Sequence, residues 1–229
     1  MSALRTVARG ARRAGRRLWQ DRWLRRMGLY GLIHRTHNFG GVTWLGQPIW
    51  QNPLDAWAVQ ETIVEDQVDL VIECGTNRGG SAYYMASLFD LLGRGHVITI
   101  DVQVMTDLHH PRIDFVTGSS VDPDILESVR ARADELNATC IMVLLDSDHA
   151  GPHVLRELQL YSEFVAVGGH ILAQDGCIDE LRIMRADRPG PLWAIRRFVK
   201  EDPHFEIDVE RSQRYLFSHS PSGWLRRVS

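Results

Sequence analysis

Val68-Asp69-Leu70-Val71-Ile72-Glu73-Cys74-Gly75-Thr76-Asn77-Arg78-Gly79-Gly80-Ser81 decides the fold, with the run His96-Val97-Ile98-Thr99-Ile100-Asp101 that follows one helix later. An apolar strand empties into a glycine-rich turn, a helix carries the chain back, and the next strand ends on a carboxylate. That is the sequence form of a nucleotide-cofactor site at the carboxyl edge of a parallel sheet. A dinucleotide fingerprint would read Gly-x-Gly-x-x-Gly. Here the pattern is Glu73-x-Gly75-x-x-x-Gly79-Gly80-Ser81, with a carboxylate at the strand tip. It would repel a pyrophosphate and suit a cationic ligand. S-adenosylmethionine carries an ammonium and a sulfonium, and its ribose diol has a partner in Asp101.

The same alternation continues down the chain. Strands are expected at 68–73, 96–101, 113–117, 140–145 and 169–173, with helices at about 80–92, 123–136 and 152–163 between them. Pro53 opens an earlier helix on which Trp57, Val59, Ile63 and Val64 recur at helical spacing, and His34 to Trp50 reads as a lead-in loop. A helix at 190–201 precedes a hairpin-like pair, 205–209 with 215–218. The expected fold is α/β: a doubly wound, mostly parallel, Rossmann-like sheet of seven strands with an antiparallel C-terminal strand at its edge or inserted within it.

Composition narrows the classes. The 229 residues carry 26 Lys and Arg against 29 Asp and Glu, but residues 1–35 hold ten arginines and one acid, Asp21. That leaves 26 − 10 = 16 basic and 29 − 1 = 28 acidic residues, so an arm of +9 precedes a body of −12. The expected organisation is a basic amphipathic N-terminal arm, 1–35, and one domain, 36–229. Leu18, Trp19, Trp23, Leu24 and Met27 interleave with the arginines at roughly helical spacing. Such an arm can meet an anionic surface; the preferred reading is docking on the acidic body or on a second subunit, with a homo-oligomer expected. The acidic body argues against a nucleic-acid enzyme. No run of eighteen apolar residues offers a membrane span. Cys74, Cys140 and Cys177 show no paired spacing and read as reduced thiols of a cytoplasmic protein.

Polar groups end every strand: Glu73, Asp101, Ser119 and Ser120, Asp146 with Asp148 and His149, and Gln174 with Asp175. Asp146 and Asp175 lie on successive strands. With the Gln174 amide oxygen they make an all-oxygen set that suits Mg²⁺, Ca²⁺ or Mn²⁺ rather than zinc; the bland alternative is one solvated aspartate and one helix cap. His149 lies three residues past Asp146 and could take a proton there, while His109, His110, His153 and His170 compete for that role.

These segments resemble the cephalosporin hydroxylase / rhamnosyl O-methyltransferase family of S-adenosylmethionine-dependent enzymes. The resemblance is carried by Trp44-Leu45-Gly46, Ile49-Trp50-Gln51, Ile72-Glu73-Cys74-Gly75, Gly79-Gly80-Ser81, Leu144-Leu145-Asp146-Ser147-Asp148-His149, Val154-Leu155-Arg156-Glu157-Leu158, Gly190-Pro191-Leu192 and Gly223-Trp224-Leu225-Arg226-Arg227-Val228. It implies a class I methyltransferase that uses S-adenosylmethionine and Mg²⁺ (or Mn²⁺) to methylate a hydroxyl. Glu73, Gly75 and Ser81, with Asn77 in the same turn, would hold the methionine part, Asp101 the ribose, and Ser119 with Ser120 the adenine. Trp50 and Gln51 would close over the cofactor. Asp146, Gln174 and Asp175 would hold the metal. Where the family usually has Glu-Asp this chain has Gln174-Asp175, which removes one negative charge and lowers the expected metal affinity.

The arrangement is also similar to catechol O-methyltransferase, whose base lies three residues after the first metal aspartate; the matching position is His149. The implied acceptor is a mannose- or rhamnose-containing saccharide or glycolipid. An antibiotic or other secondary metabolite is the alternative, and a non-catalytic cofactor-binding partner protein is another.

Overall fold

The computed structural model describes residues 41–103, 105–215 and 217–229; the expected basic arm, 1–35, lies outside them. A short hairpin, β1 (Thr43–Trp44) and β2 (Gln47–Pro48), occupies the stretch expected to be loop. Helix α1 (Pro53–Glu65) starts where Asn52 accepts a hydrogen bond from Leu54 N and proline fills the first turn, the pairing that satisfies an orphan helix N–H. Then come β3 (Leu70–Cys74), α2 (Gly80–Leu92), β4 (His96–Asp101), β5 (Ile113–Thr117), α3 (Pro123–Glu135), β6 (Ile141–Leu145), α4 (Gly151–Tyr161), β7 (His170–Ala173), α5 (Pro191–Glu201), β8 (Phe205–Ile207), the single turn α6 (Val209–Ser212) and β9 (Trp224–Arg227).

The seven-stranded sheet has the order β5-β4-β3-β6-β7-β9-β8. The first five strands are parallel, and β9 runs antiparallel between β7 and β8. The antiparallel strand is therefore inserted within the sheet. The expected partner of β8 at 215–218 is corrected: β8 pairs with Trp224–Arg227, and Tyr215, Phe217 and Ser218 belong to no strand.

Period-two alternation builds two cores. Leu70, Ile72 and Cys74 of β3 pack with Val143, Leu145, Leu158 and Ile195 on one face. Val71, Val97, Met142 and Leu144 face the other, under Val59 and Ile63 of α1 and Met85 and Phe89 of α2. On α1 the apolar face is narrower than its spacing suggests, because Trp57 and Val64 remain 59% and 39% exposed.

β3 pairs with both β4 and β6, so the winding direction reverses there. Such a switch point opens a crevice above the carboxyl ends of the two central strands.

Candidate active site

The strand tips at the switch point are tied by backbone bonds. Gly75 N donates to Ile100 O (2.8 Å), Asp146 N to Cys74 O (2.7 Å) and Gln174 N to Leu145 O (2.9 Å). The turn after β3 needs its glycines. Gly75 has φ +108°, and a Cβ there would stand 2.1 Å from Asp146 O; at Gly80 a Cβ would meet Pro48 O at 2.1 Å. The first contact sets β3 against the loop carrying Asp146. The second seats the β1–β2 hairpin on the start of α2, which brings Trp50 and Gln51 over the turn.

One crevice is lined by Trp50, Gln51, Gly75, Asn77, Ser81 and Asp146, all expected ligands, together with the backbone around them. Asp101 borders it, its Oδ2 accepting from Asn77 N at 2.8 Å. Glu73 lies beneath it, fully buried. Thr99 Oγ1 donates to Glu73 Oε2 (2.6 Å) and itself meets Thr76 Oγ1 at 2.7 Å. Glu73 Oε1 has no hydrogen-bond partner among the described residues. A buried carboxylate oxygen left open under a crevice suits an ammonium. Burial pushes the Glu73 carboxyl up to about 7 against the pull of the Ser81 and Thr99 hydroxyls.

The shift has a stability consequence. Because the folded value lies above the ordinary 4.5, the contribution is full below that ordinary value and is lost as pH rises through about 7. Glu73→Gln should flatten this fall, worth roughly 3 kcal/mol at about 1.4 per pH unit. Denaturant unfolding of both proteins at about pH 5 and about pH 8 measures it; parallel losses in the two would contradict it.

Ser119 and Ser120 stand at the end of β5. The Ser120 hydroxyl turns inward, 2.5 Å from Glu157 Oε1, which also accepts from Ser147 Oγ at 2.6 Å. Glu157, on α4 and fully buried, thereby joins the loops after β5 and β6. It was not among the expected site residues; its sequence signals are a charge amid apolar helix positions and its place in the segment 154–158 that carries the family resemblance.

Asp146, His149 and Asp175 converge, offering ligand atoms that all lie within 4.8 Å of one another. His149 Nε2 is 3.2 Å from Asp175 Oδ2. The competing histidines lie elsewhere: His110 pairs with Asp90, His153 with Glu157, and His170 is buried between Asp66 and Asp208; His109 is exposed. Asp175 has φ +53°, a left-handed conformation that costs a non-glycine residue free energy and recurs at functional sites. Burial, then the charge of Asp175, then that of Glu73 hold the Asp146 carboxyl well above the usual carboxylate range.

Gln174 and Gln51 form a reciprocal amide pair at 2.8 Å, and Gln51 Nε2 also donates to Asp146 Oδ2 at 2.8 Å. The Gln174 amide atom facing Asp146 lies 3.1 Å and 2.8 Å from its carboxylate oxygens. As an oxygen it makes a contact that only a proton or a cation relieves; turned over, it donates a hydrogen bond instead. Two carboxylates and an amide oxygen fit a hard divalent cation, which would take the place of the Asp146 proton.

Two residues that the sequence left unmarked also border Asp175. His219 Nδ1 is 3.9 Å from Asp175 Oδ1. Asp55, buried, accepts from His219 N at 2.8 Å and from Asn52 Nδ2 at 3.2 Å.

A doubly wound sheet of this strand order, with a glycine turn under a carboxylate-bordered crevice at its switch point, defines a class I S-adenosylmethionine-dependent methyltransferase. The family model for rhamnosyl O-methyltransferase/CmcI matches residues 37–228. A rhamnosyl O-methyltransferase of Mycobacterium tuberculosis is 33% identical over 192 residues, 81% of this chain and 78% of that one. That of Mycobacterium leprae is 30% identical over 192 residues, covering 81% and 83%. Among solved structures, apo CmcI superposes with TM-score 0.65 at 18% identity, and CmcI in its Mg–SAM form with 0.66 at 16%, each over 84% of this chain and 78% of that one. These two likenesses bear on the fold. The chain belongs to the rhamnosyl O-methyltransferase/CmcI family and is an S-adenosylmethionine-dependent O-methyltransferase.

Proposed function

We propose that the protein methylates a hydroxyl of a sugar, rhamnose or mannose within a larger saccharide or glycolipid, with a divalent cation held by Asp146, Asp175 and Gln174. The convergence of Asp146, His149 and Asp175 beside the cofactor crevice carries this reading. The identity to rhamnosyl O-methyltransferases supports the choice of sugar.

The sulfonium methyl is electrophilic already, so the protein must align an oxygen with it and remove that oxygen's proton. Glu73, Gly75, Asn77 and Ser81 hold the methionine end, Asp101 the ribose, and Ser119 the adenine side, with Trp50 and Gln51 closing from above; the Ser120 hydroxyl, bound to Glu157, braces that loop from beneath. A bound Mg²⁺ would stabilise negative charge developing on the acceptor oxygen. His149 takes the proton. Asp175 engages its Nε2, which leaves Nδ1 as the basic nitrogen, the tautomer control expected of a histidine with one orienting partner. No covalent intermediate with the protein is needed. Three free thiols fit a reducing, cytoplasmic setting, and no helix among the described residues is long and apolar enough to cross a membrane.

Labelled methyl transfer to a panel of rhamnosides, mannosides, catechols and β-lactams tests the acceptor class. Preference for the deoxysugar or mannose hydroxyls is expected; transfer confined to phenolic or β-lactam acceptors would overturn it. His149→Ala should lower turnover by about 10²-fold, the usual contribution of a general base, with partial recovery at high pH where the acceptor ionises more readily. Unchanged turnover would remove His149 as the base.

A further inference from the structure

Helix α1 separates two grooves of opposite character. Trp57, Gln60 and Val64 face an apolar groove of about 490 Å³, closed on its far side by the first described residues and by α2. Its surface side chains are large and open: Trp57 is 59% exposed, Val64 39%, Leu91 85% and Leu92 38%. A contiguous apolar patch of this kind on a soluble surface signals a missing partner. One residue further round the helix, Glu61 and Glu65 line a polar groove of about 530 Å³ with Glu206, Asp208 and Glu210, opposed by Arg211, Arg214 and Arg226. That is five acids to three bases, an excess of 5 − 3 = 2 negative charges. Arg214 is held by Glu61 and Arg211 by Glu65, while Glu206 and Glu210 are exposed and make no ion pair among the described residues.

We propose that residues 18–27 of the same chain occupy this double groove. Leu18, Trp19, Trp23, Leu24 and Met27 fill the apolar side, and the interleaved arginines lie towards Glu206 and Glu210. Three observations support the assignment. The described chain opens at Gly41, and the next residues, Val42 and Thr43, already line the apolar groove. Residues 28–40, at about 3.3 Å each when extended, span about 40 Å, roughly twice the length of α1 at about 1.5 Å per residue. The +9 arm and the −12 body are complementary, and the strip of apolar residues flanked by arginine matches an apolar groove flanked by acid. Gln51 lines this groove and also donates to Asp146, so the arm's seat adjoins the cofactor crevice.

The test uses the full chain with p-benzoylphenylalanine in place of Trp23, irradiated as an equal mixture of unlabelled and ¹⁵N-labelled protein. Cross-links to peptides covering 57–64 or 84–92, with both halves carrying the same isotope, are expected. Mixed-isotope links would place the arm on a second copy and overturn the proposal. So would links elsewhere on the body, or capture only by anionic phospholipid vesicles. An independent arm uses Leu91→Arg, at a position too exposed to endanger the fold. Setting a charge in the groove should speed tryptic cleavage after Arg22, Arg25 and Arg26 about tenfold, by removing apolar contact that holds the arm closed. An unchanged cleavage rate would contradict the docking.

Discussion

Asp146→Asn should lower methyl transfer by about 10³-fold or more while leaving S-adenosylmethionine binding nearly intact. The substitution keeps the volume and the hydrogen bond from Gln51 but removes the charge. Asp146 is half-buried, with Asp175 and Glu73 already adding negative potential. A cation there contributes several kcal/mol of transition-state stabilisation, and each 1.4 kcal/mol is about tenfold in rate. Without the cation, the raised Asp146 value means its contribution to stability is present below the ordinary 3.8 and is lost as pH rises through the folded value. A bound cation replaces the proton, so the gain in Tm on adding Mg²⁺ should grow with pH and vanish in Asp146→Asn. Calorimetry with and without Mg²⁺, beside turnover and cofactor titration, checks all three. A pH-independent gain, or wild-type turnover in the variant, would remove Asp146 from the metal site.

Gly75→Ala carries the second large effect, for a different reason. The backbone there has φ +108°, and the added Cβ would overlap Asp146 O at 2.1 Å, with Asp146 C at 2.5 Å. Neither atom belongs to a flexible side chain, so β3 must move away from the loop that carries Asp146. The cost is roughly 4 kcal/mol, backbone strain and displacement together, or a Tm loss of about 10 °C at about 2–4 °C per kcal/mol. If the same turn holds the cofactor, as proposed, affinity for S-adenosylmethionine should fall with it. A variant unfolding within about 2 °C of the parent and binding the cofactor equally well would show that the turn is not fixed by this contact.

The parts of the fold that the residues announce are those governed by local pattern. Strands β4 and β5 fall where alternation and flanking turn residues put them, and α2 runs from Gly80 to a left-handed cap at Gly93. Pairing over distance was less legible. Tyr215-Leu216-Phe217-Ser218 looks more strand-like than Trp224-Leu225-Arg226-Arg227, yet the latter runs beside both β7 and β8. Its arginines are tolerated because Arg226 is exposed and Arg227 reaches the carbonyl of Val165 at 2.8 Å.

The candidate site divides the same way. Groups at strand tips could be read directly, since a strand followed by a polar residue fixes where that residue must lie. Asp55 and His219, 164 positions apart and joined by a 2.8 Å hydrogen bond, come from a helix start and a C-terminal loop. Only the tertiary fold brings them to Asp175. Gln174 could be placed at a strand tip from sequence, but its engagement with Gln51, 123 positions away, could not.

The most direct measurement is transfer of labelled methyl from S-adenosylmethionine to a rhamnose-bearing acceptor, run with Mg²⁺, with EDTA, and with EDTA followed by excess Mg²⁺. Transfer that EDTA abolishes and Mg²⁺ restores is the predicted result. Transfer that persists undiminished in EDTA would contradict a metal role for Asp146 and Asp175.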